Sequence, residues 1–147
     1  MIKERYVVLP RRFDLAGDAS IQIKRTLKKK NLSKNFIKRV SAAAYEAEIN
    51  IVIHSVGGYV DFLMDDKYIF LAFIDEGPGI ADISFAMQEG YSTADEEARV
   101  NGFGAGMGLS NIKKSADAMQ IESSKEGTHI KLWFYYGEND GNKENTQ

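Results

Sequence analysis

Three stretches of this 147-residue chain carry residue types suited to holding the charged and polar groups of a ligand. "GFGAGMGLSN" (102–111) places glycine at 102, 104, 106 and 108 and then enters a helical pattern. Each glycine costs about 0.5–1 kcal/mol against alanine in regular structure, so four in alternation point to a backbone that must be bare, mobile or at positive φ. Free N–H groups at a helix start form an anion site without any side-chain charge. "AAAYEAEINIVIHS" (42–55) spaces Glu46, Asn50 and His54 by four residues. On a helix these form one slanted stripe beside the apolar stripe Phe36, Val40, Ala44, Ala47 and Ile51. A carboxylate, an amide and an imidazole on such a margin could hold a divalent cation and phosphates. "FLAFIDEGPGI" (70–80) ends a buried-looking strand on Asp75 and bends through Gly77, Pro78 and Gly79. A carboxylate held there can accept a hydrogen bond from the amino group of adenine and repels the carbonyl of guanine. "EGT" (126–128) is a fainter fourth element.

Each stretch also has a plainer reading. The Glu–Asn–His stripe could be a solvated helix edge, and D-x-G a turn after a strand. The glycine stretch is neither a Walker A loop, since no Lys-Ser/Thr follows, nor the G-x-G-x-x-G dinucleotide fingerprint.

The elements that must position these residues follow from pattern. "RYVVLPRR" (5–12) reads as a strand with Pro10 at its end. Asp18 is a candidate N-cap for a helix through about Lys30, and Ser33 caps a longer helix over 34–55. Gly57-Gly58 turns the chain into the strand "YVDFLMDD" and then "KYIFLAFIDE", the most apolar strand pattern present. Residues 77–108 form a long connection with one short helical piece near 82–88, the length of a lid. A helix over 107–119 leads to strands "QIESSKE" and "THIKLWFYY" around Gly127. Short turns between strands imply antiparallel pairing, and hence an α+β two-layer sandwich: a mixed, mainly antiparallel sheet with helices on one face. Residues 1–136 form one domain, and the polar segment 137–147 reads as a disordered tail.

Composition is that of a soluble globular protein. The absence of cysteine excludes disulfides and thiolate chemistry, and the longest apolar run, 68–74, is far too short to span a bilayer. A cytoplasmic location, with no membrane partner, is the expectation. Net charge is −2, but residues 1–40 hold twelve Lys/Arg against three Asp/Glu, a balance of +9, while the rest hold seven against eighteen, −11. The basic segment fits an acidic partner or a solvated helix face. Without interleaved aromatics it does not read as a nucleic-acid binder.

Taken together, the four elements occur in one order: a Glu/Asn helix, D-x-G-x-G after a strand, a lid, G-x-G-x-G before a helix, and G-T before the last strand. This order resembles the GHKL ATPase superfamily, with its Bergerat ATP-binding fold, over about residues 5–136. Within it the chain is similar to the bacterial anti-sigma factor and switch serine/threonine kinases. The resemblance implies ATP and Mg²⁺, with Glu46 as catalytic base and Asn50 as the Mg²⁺ ligand. It places Asp75, Gly79 and Thr128 at the adenine, directly or through water, counts Gly77 among the cofactor-binding residues, and sets Gly104, Gly106, Gly108 and Leu109 along the triphosphate. His54 matches a basic or His position after the first box. The implied substrate is a STAS-domain protein; a sigma factor or other regulator, and a second copy of the chain, are further candidate partners. The expectation is a chain without a transducer domain, and with its two histidines at 54 and 129 it is expected to stand apart from gyrase-, chaperone- and sensor-kinase-type relatives. The alternative activity is ATP-dependent sequestration of a partner without phosphoryl transfer.

Overall fold

Burial with a period of two marks the strands, and burial with the helical period marks the helices that cover them. The computed structural model describes residues 1–54, 56–77 and 108–136, the side chain of His54 excepted. The expected lid and its helical piece near 82–88, together with Gly79, Gly104, Gly106 and the 137–147 tail, lie outside the described residues. Strands β1 (Ile2–Val8), β2 (Gly58–Met64), β3 (Tyr68–Asp75), β4 (Ala118–Ser124) and β5 (Gly127–Tyr135) form a sheet of order β1-β2-β3-β5-β4. All four pairings are antiparallel, so the expected mixed character does not appear among the described strands. Helices α1 (Asp18–Lys28), α2 (Lys34–His54) and α3 (Gly108–Ser115) cover one face, giving the expected α+β sandwich. No helix among the described residues is long and apolar enough to cross a membrane.

The core lies between α2 and the sheet. Phe36, Val40, Ala44, Ala47 and Ile51, the predicted apolar stripe, are all buried against Phe62, Leu71, Phe73, Leu132 and Phe134. Three alanines, at 43, 44 and 47, keep the middle of α2 thin where it crosses the strands. Ser33 caps α2 as expected, its Oγ accepting the Phe36 N–H at 3.0 Å.

Three local expectations are corrected. Asp18 is not the N-cap of α1: Gly17, at φ 92°, occupies that position, and the Asp18 carboxylate instead accepts from Gln22 Nε2 at 3.2 Å. The orphan N–H groups of α1 turn to a distant side chain, Glu48. The first strand occupies Ile2–Val8, not 5–12; past it Arg11 takes a positive φ of 57° and donates its N–H to the Val52 carbonyl at 2.9 Å. The helix expected over 107–119 is described from Gly108 and stops at Ser115, and β4 begins at Ala118. Asp117 causes the early stop: its N–H donates to the Trp133 carbonyl at 3.0 Å. Its carboxylate accepts Arg39 at 3.0 and 3.3 Å and the Tyr135 N–H at 2.7 Å.

Candidate functional site

Helix α2 presents Glu46 and Asn50 along one margin, four residues apart, with both side chains partly buried. The first residue of α3, Gly108, packs directly against them. A Cβ built on Gly108 would lie 3.4 Å from Glu46 Oε2 and 3.7 Å from Asn50 Oδ1. The start of α3 thus opens onto a carboxylate and an amide, and helix starts supply N–H groups without intrahelical partners. Burial pushes the Glu46 carboxyl above its ordinary range. Asn50 Nδ2 is buried without a hydrogen-bond partner among the described residues, an unusual state for an amide. Leu109 and Ser110 follow Gly108 into the interior, fixing how α3 is seated.

A second cluster forms at the end of β3. Asp75 Oδ1 accepts the Gly77 N–H at 3.0 Å and the Thr128 N–H at 2.9 Å. Oδ2 receives no hydrogen bond from the described residues and is the oxygen left for another donor. Burial raises the Asp75 carboxyl, opposed by these two N–H groups and by His129. Backbone from the facing turn closes in tightly. Gly127, at φ 147°, lies where a Cβ would sit 2.0 Å from the Asp75 carbonyl oxygen. Gly77, at φ 115°, makes the turn away from the strand and accepts the Val56 N–H at 3.0 Å. Thr128 is buried, its Oγ1 3.1 Å from Ser123 Oγ.

The two clusters lie toward the same end of the domain. Helix α2 ends at His54, and within four residues the chain reaches Gly58, the register partner of Asp75. The structure therefore brings Glu46, Asn50 and Gly108 together, and Asp75, Gly77 and Thr128 together.

Sequence reasoning missed two participants. Glu48, two residues beyond Glu46, points the other way and is only 2% exposed. Its Oε1 accepts the Ser20 N–H and hydroxyl at 2.9 and 2.7 Å, and its Oε2 accepts the Gly17 and Ala19 N–H groups at 3.1 and 3.2 Å. The signal was available, because residues two apart on a helix point about 200° apart, so only one of the two glutamates can face the site. The close approach of Gly127 to Asp75 left no local trace beyond a turn glycine.

Among the described residues no three His, Cys, Asp or Glu converge on a metal site. Mg²⁺ nonetheless fits this setting, because it keeps waters and phosphate oxygens and needs only one or two protein oxygens. The Asn50 amide, buried with an unpaired nitrogen beside Gly108, is a suitable oxygen donor.

Comparison with known proteins bears on the family and the fold of the chain. The family model for histidine kinase-, DNA gyrase B- and HSP90-like ATPases matches residues 22–138. The anti-sigma F factor of Caldanaerobacter subterraneus subsp. tengcongensis is 34% identical over 110 residues, 70% of this chain and 73% of that protein. The anti-sigma F factor of Bacillus subtilis is 29% identical over 103 residues, 65% of this chain and 67% of that protein. Among solved structures, the RsbU and RsbW domains of a Mycobacterium tuberculosis protein match with a TM-score of 0.63 at 16% identity. That match covers 91% of this chain but 32% of the solved one, and it speaks to the fold alone. With the family model spanning most of its length, the chain belongs to the histidine kinase-, DNA gyrase B- and HSP90-like (GHKL) ATPase family.

Proposed function

We propose that the chain is an ATP-dependent serine/threonine protein kinase of a bacterial partner-switching pathway, acting in the cytoplasm on a STAS-domain protein. The observation that carries this reading is the meeting of Glu46, Asn50 and Gly108, where a partly buried carboxylate and an amide with an unpaired buried nitrogen face a helix start. Asn50 would hold Mg²⁺, which neutralises phosphate charge when bound with ATP. Gly104, Gly106, Gly108 and Leu109 border the triphosphate. Asp75 Oδ2 takes the adenine amino group, with Gly77 and Thr128 beside it; Gly79 and His54 are assigned to nucleotide binding on the sequence motifs alone. Glu46 accepts the proton of the acceptor hydroxyl as its oxygen bonds to the γ-phosphorus and the bond to the bridging β–γ oxygen breaks, releasing ADP. Such transfer is mainly positioning and charge neutralisation, and a carboxylate raised above its usual range is a better base near neutral pH.

The names of the relatives favour a second reading, in which ATP binding promotes capture of a sigma factor or other regulator and transfer is slow or absent. Incubation with labelled ATP, Mg²⁺ and the STAS-domain proteins of the same organism separates the two. Label on a serine or threonine of a STAS protein supports the kinase. ATP-dependent binding to a sigma factor without label on any STAS protein favours capture.

A further inference from the structure

Between residues 19 and 45 the chain has eight Lys/Arg and no Asp or Glu. Only Arg39 is absorbed by the fold, through its paired bonds to Asp117. The other seven are exposed and, among the described residues, none forms an ion pair. They gather where α1 hands over to α2: Lys24, Arg25 and Lys28 on α1, Lys29 and Lys30 in the turn, Lys34 and Lys38 on α2. Folding calls for only part of this arrangement: Arg25 and Lys28 lie in the last turn of α1, where the helix dipole favours cations. Lys24–Lys28 and Lys34–Lys38 are like-charge pairs at i,i+4, which destabilise a helix. The first turn of α2 holds no acidic residue and begins on Lys34, so positive charge sits at the positive end of the helix dipole. Elsewhere the protein pairs its arginines, Arg5 with Asp61 and Arg12 with Asp14. A cluster that the fold tolerates at a cost, and leaves open to water, is suited to a partner.

The chemistry of that partner can be narrowed. Ile21 is 50% exposed and shares the stripe of Lys24, Arg25 and Lys28 at i, i+3, i+4 and i+7. An apolar anchor in line with a basic row matches an amphipathic segment bearing both apolar and acidic side chains, whereas a phosphate backbone has no use for it. The described residues beyond the first forty hold ten Asp/Glu against five Lys/Arg, so a long polyanion crossing the domain would meet repulsion beyond the corner. Six of the seven charges are lysines, point charges that lack the forked bidentate geometry of arginine toward phosphate. We infer that the α1–α2 corner is a docking surface for an acidic, amphipathic segment of a partner protein. The inference rests on the reading of the chain as one that engages a protein partner, but not on phosphoryl transfer.

The test uses the full chain and two fluorescein-labelled probes. One is a 20-residue peptide with Glu and Asp on one helical face and Leu on the other; the second is a 20-base-pair DNA duplex. The parent should bind the peptide in a salt-sensitive manner and more tightly than the duplex. The triple variant Lys28→Glu/Lys29→Glu/Lys30→Glu should lose at least about tenfold in peptide affinity. The neutral Lys→Gln version, free of any new repulsion, should lose less, and Ile21→Ser should also weaken binding. ATP affinity should be unchanged in all of them, and Glu46→Gln should bind the peptide as the parent does, which keeps this surface separate from the kinase reading. Parental peptide affinity in the triple variant, no effect of Ile21→Ser, no binding by the parent, or tighter binding to the duplex would each overturn the inference.

Discussion

Asp75 and Thr128 stand 53 residues apart in sequence, yet the Thr128 N–H donates to Asp75 Oδ1 at 2.9 Å. This bond ties the end of β3 to the start of β5, and with the Gly77 N–H it uses one carboxylate oxygen for architecture and leaves the other without a hydrogen bond from the described residues. The Asp75 carboxylate is thus positioned by backbone, the arrangement least prone to drift.

Asp75→Asn tests that division of labour. The amide oxygen can keep both backbone bonds, so the domain should stay folded. The amide nitrogen then replaces the free oxygen and presents a donor to the adenine amino group. A mismatched contact of this kind costs about 1–3 kcal/mol, roughly five- to over a hundredfold in affinity. Calorimetric titration with ATP·Mg²⁺ should show that loss, with GTP discriminated against less strongly than by the parent. Undiminished ATP affinity would remove Asp75 from adenine recognition.

Glu46→Gln should lower phosphoryl transfer at least about a hundredfold while leaving ATP·Mg²⁺ affinity near normal, the mark of a lost general base. Burial lifts the Glu46 carboxyl in the folded state, so the acid limb of the parental rate profile should fall at higher pH than for an ordinary glutamate. The same shift has a stability consequence. A raised folded-state pKa gives a contribution that is fully present below the unfolded value of about 4.3 and is lost as pH rises through the folded one. At neutral pH the ionised Glu46 is therefore a net cost. Urea titrations should find Glu46→Gln more stable than the parent at pH 7, with the difference vanishing below about pH 4. A rate equal to the parent's would eliminate the base.

Glu48 is expected to behave in the opposite way, as a structural carboxylate. Glu48→Ala strands three backbone N–H groups and the Ser20 hydroxyl, each costing about 1–3 kcal/mol if left buried and unpaired. Loss of the folded state, or a large drop in its urea midpoint, is the expected result. Ser20→Ala removes one of the four bonds and should cost about 1 kcal/mol, with ATP affinity unchanged. Equal urea midpoints for Glu48→Ala and the parent would show that α1 is held by its apolar contacts alone.

What was legible beforehand followed the range of the interactions. The buried stripe of α2 and the Ser33 cap are set within one or two turns, and the pattern that predicts them is the pattern that packs. The α1 N-terminus was misread because a local candidate, Asp18, competed with a carboxylate about 30 residues away, and the distant one prevailed. The start of β4 was misread for a similar reason, since Asp117 is drawn in by Arg39 and Tyr135 from other elements. The candidate site divides in the same way. The shared helix margin of Glu46 and Asn50 is readable from their spacing, whereas the embrace of Asp75 by Gly127 exists only once two distant strands are paired.

Two glycines in the G-x-G and G-T elements should respond differently to the same substitution. At Gly127 a methyl group would meet the Asp75 carbonyl oxygen at 2.0 Å, on backbone held at φ 147°. Neither partner is a side chain that can swing aside, so Gly127→Ala should destabilise the domain severely and disturb Asp75 with it. At Gly108 the added methyl would stand 3.4 Å from Glu46 Oε2 and 3.7 Å from Asn50 Oδ1, ordinary contact distances. Gly108 is helical and has no positive φ, so alanine there carries no backbone strain. Gly108→Ala should therefore fold with near-parental stability. Yet its methyl fills the space between Glu46, Asn50 and the start of α3, the space assigned to the phosphates. ATP·Mg²⁺ affinity should fall by at least about tenfold, or roughly 1.4 kcal/mol, in a protein whose thermal melt is intact. A Gly108→Ala protein that binds ATP·Mg²⁺ as the parent does would place the triphosphate elsewhere. Loss of stability at Gly108 but not at Gly127 would reverse the assignment of which glycine serves the fold and which the ligand.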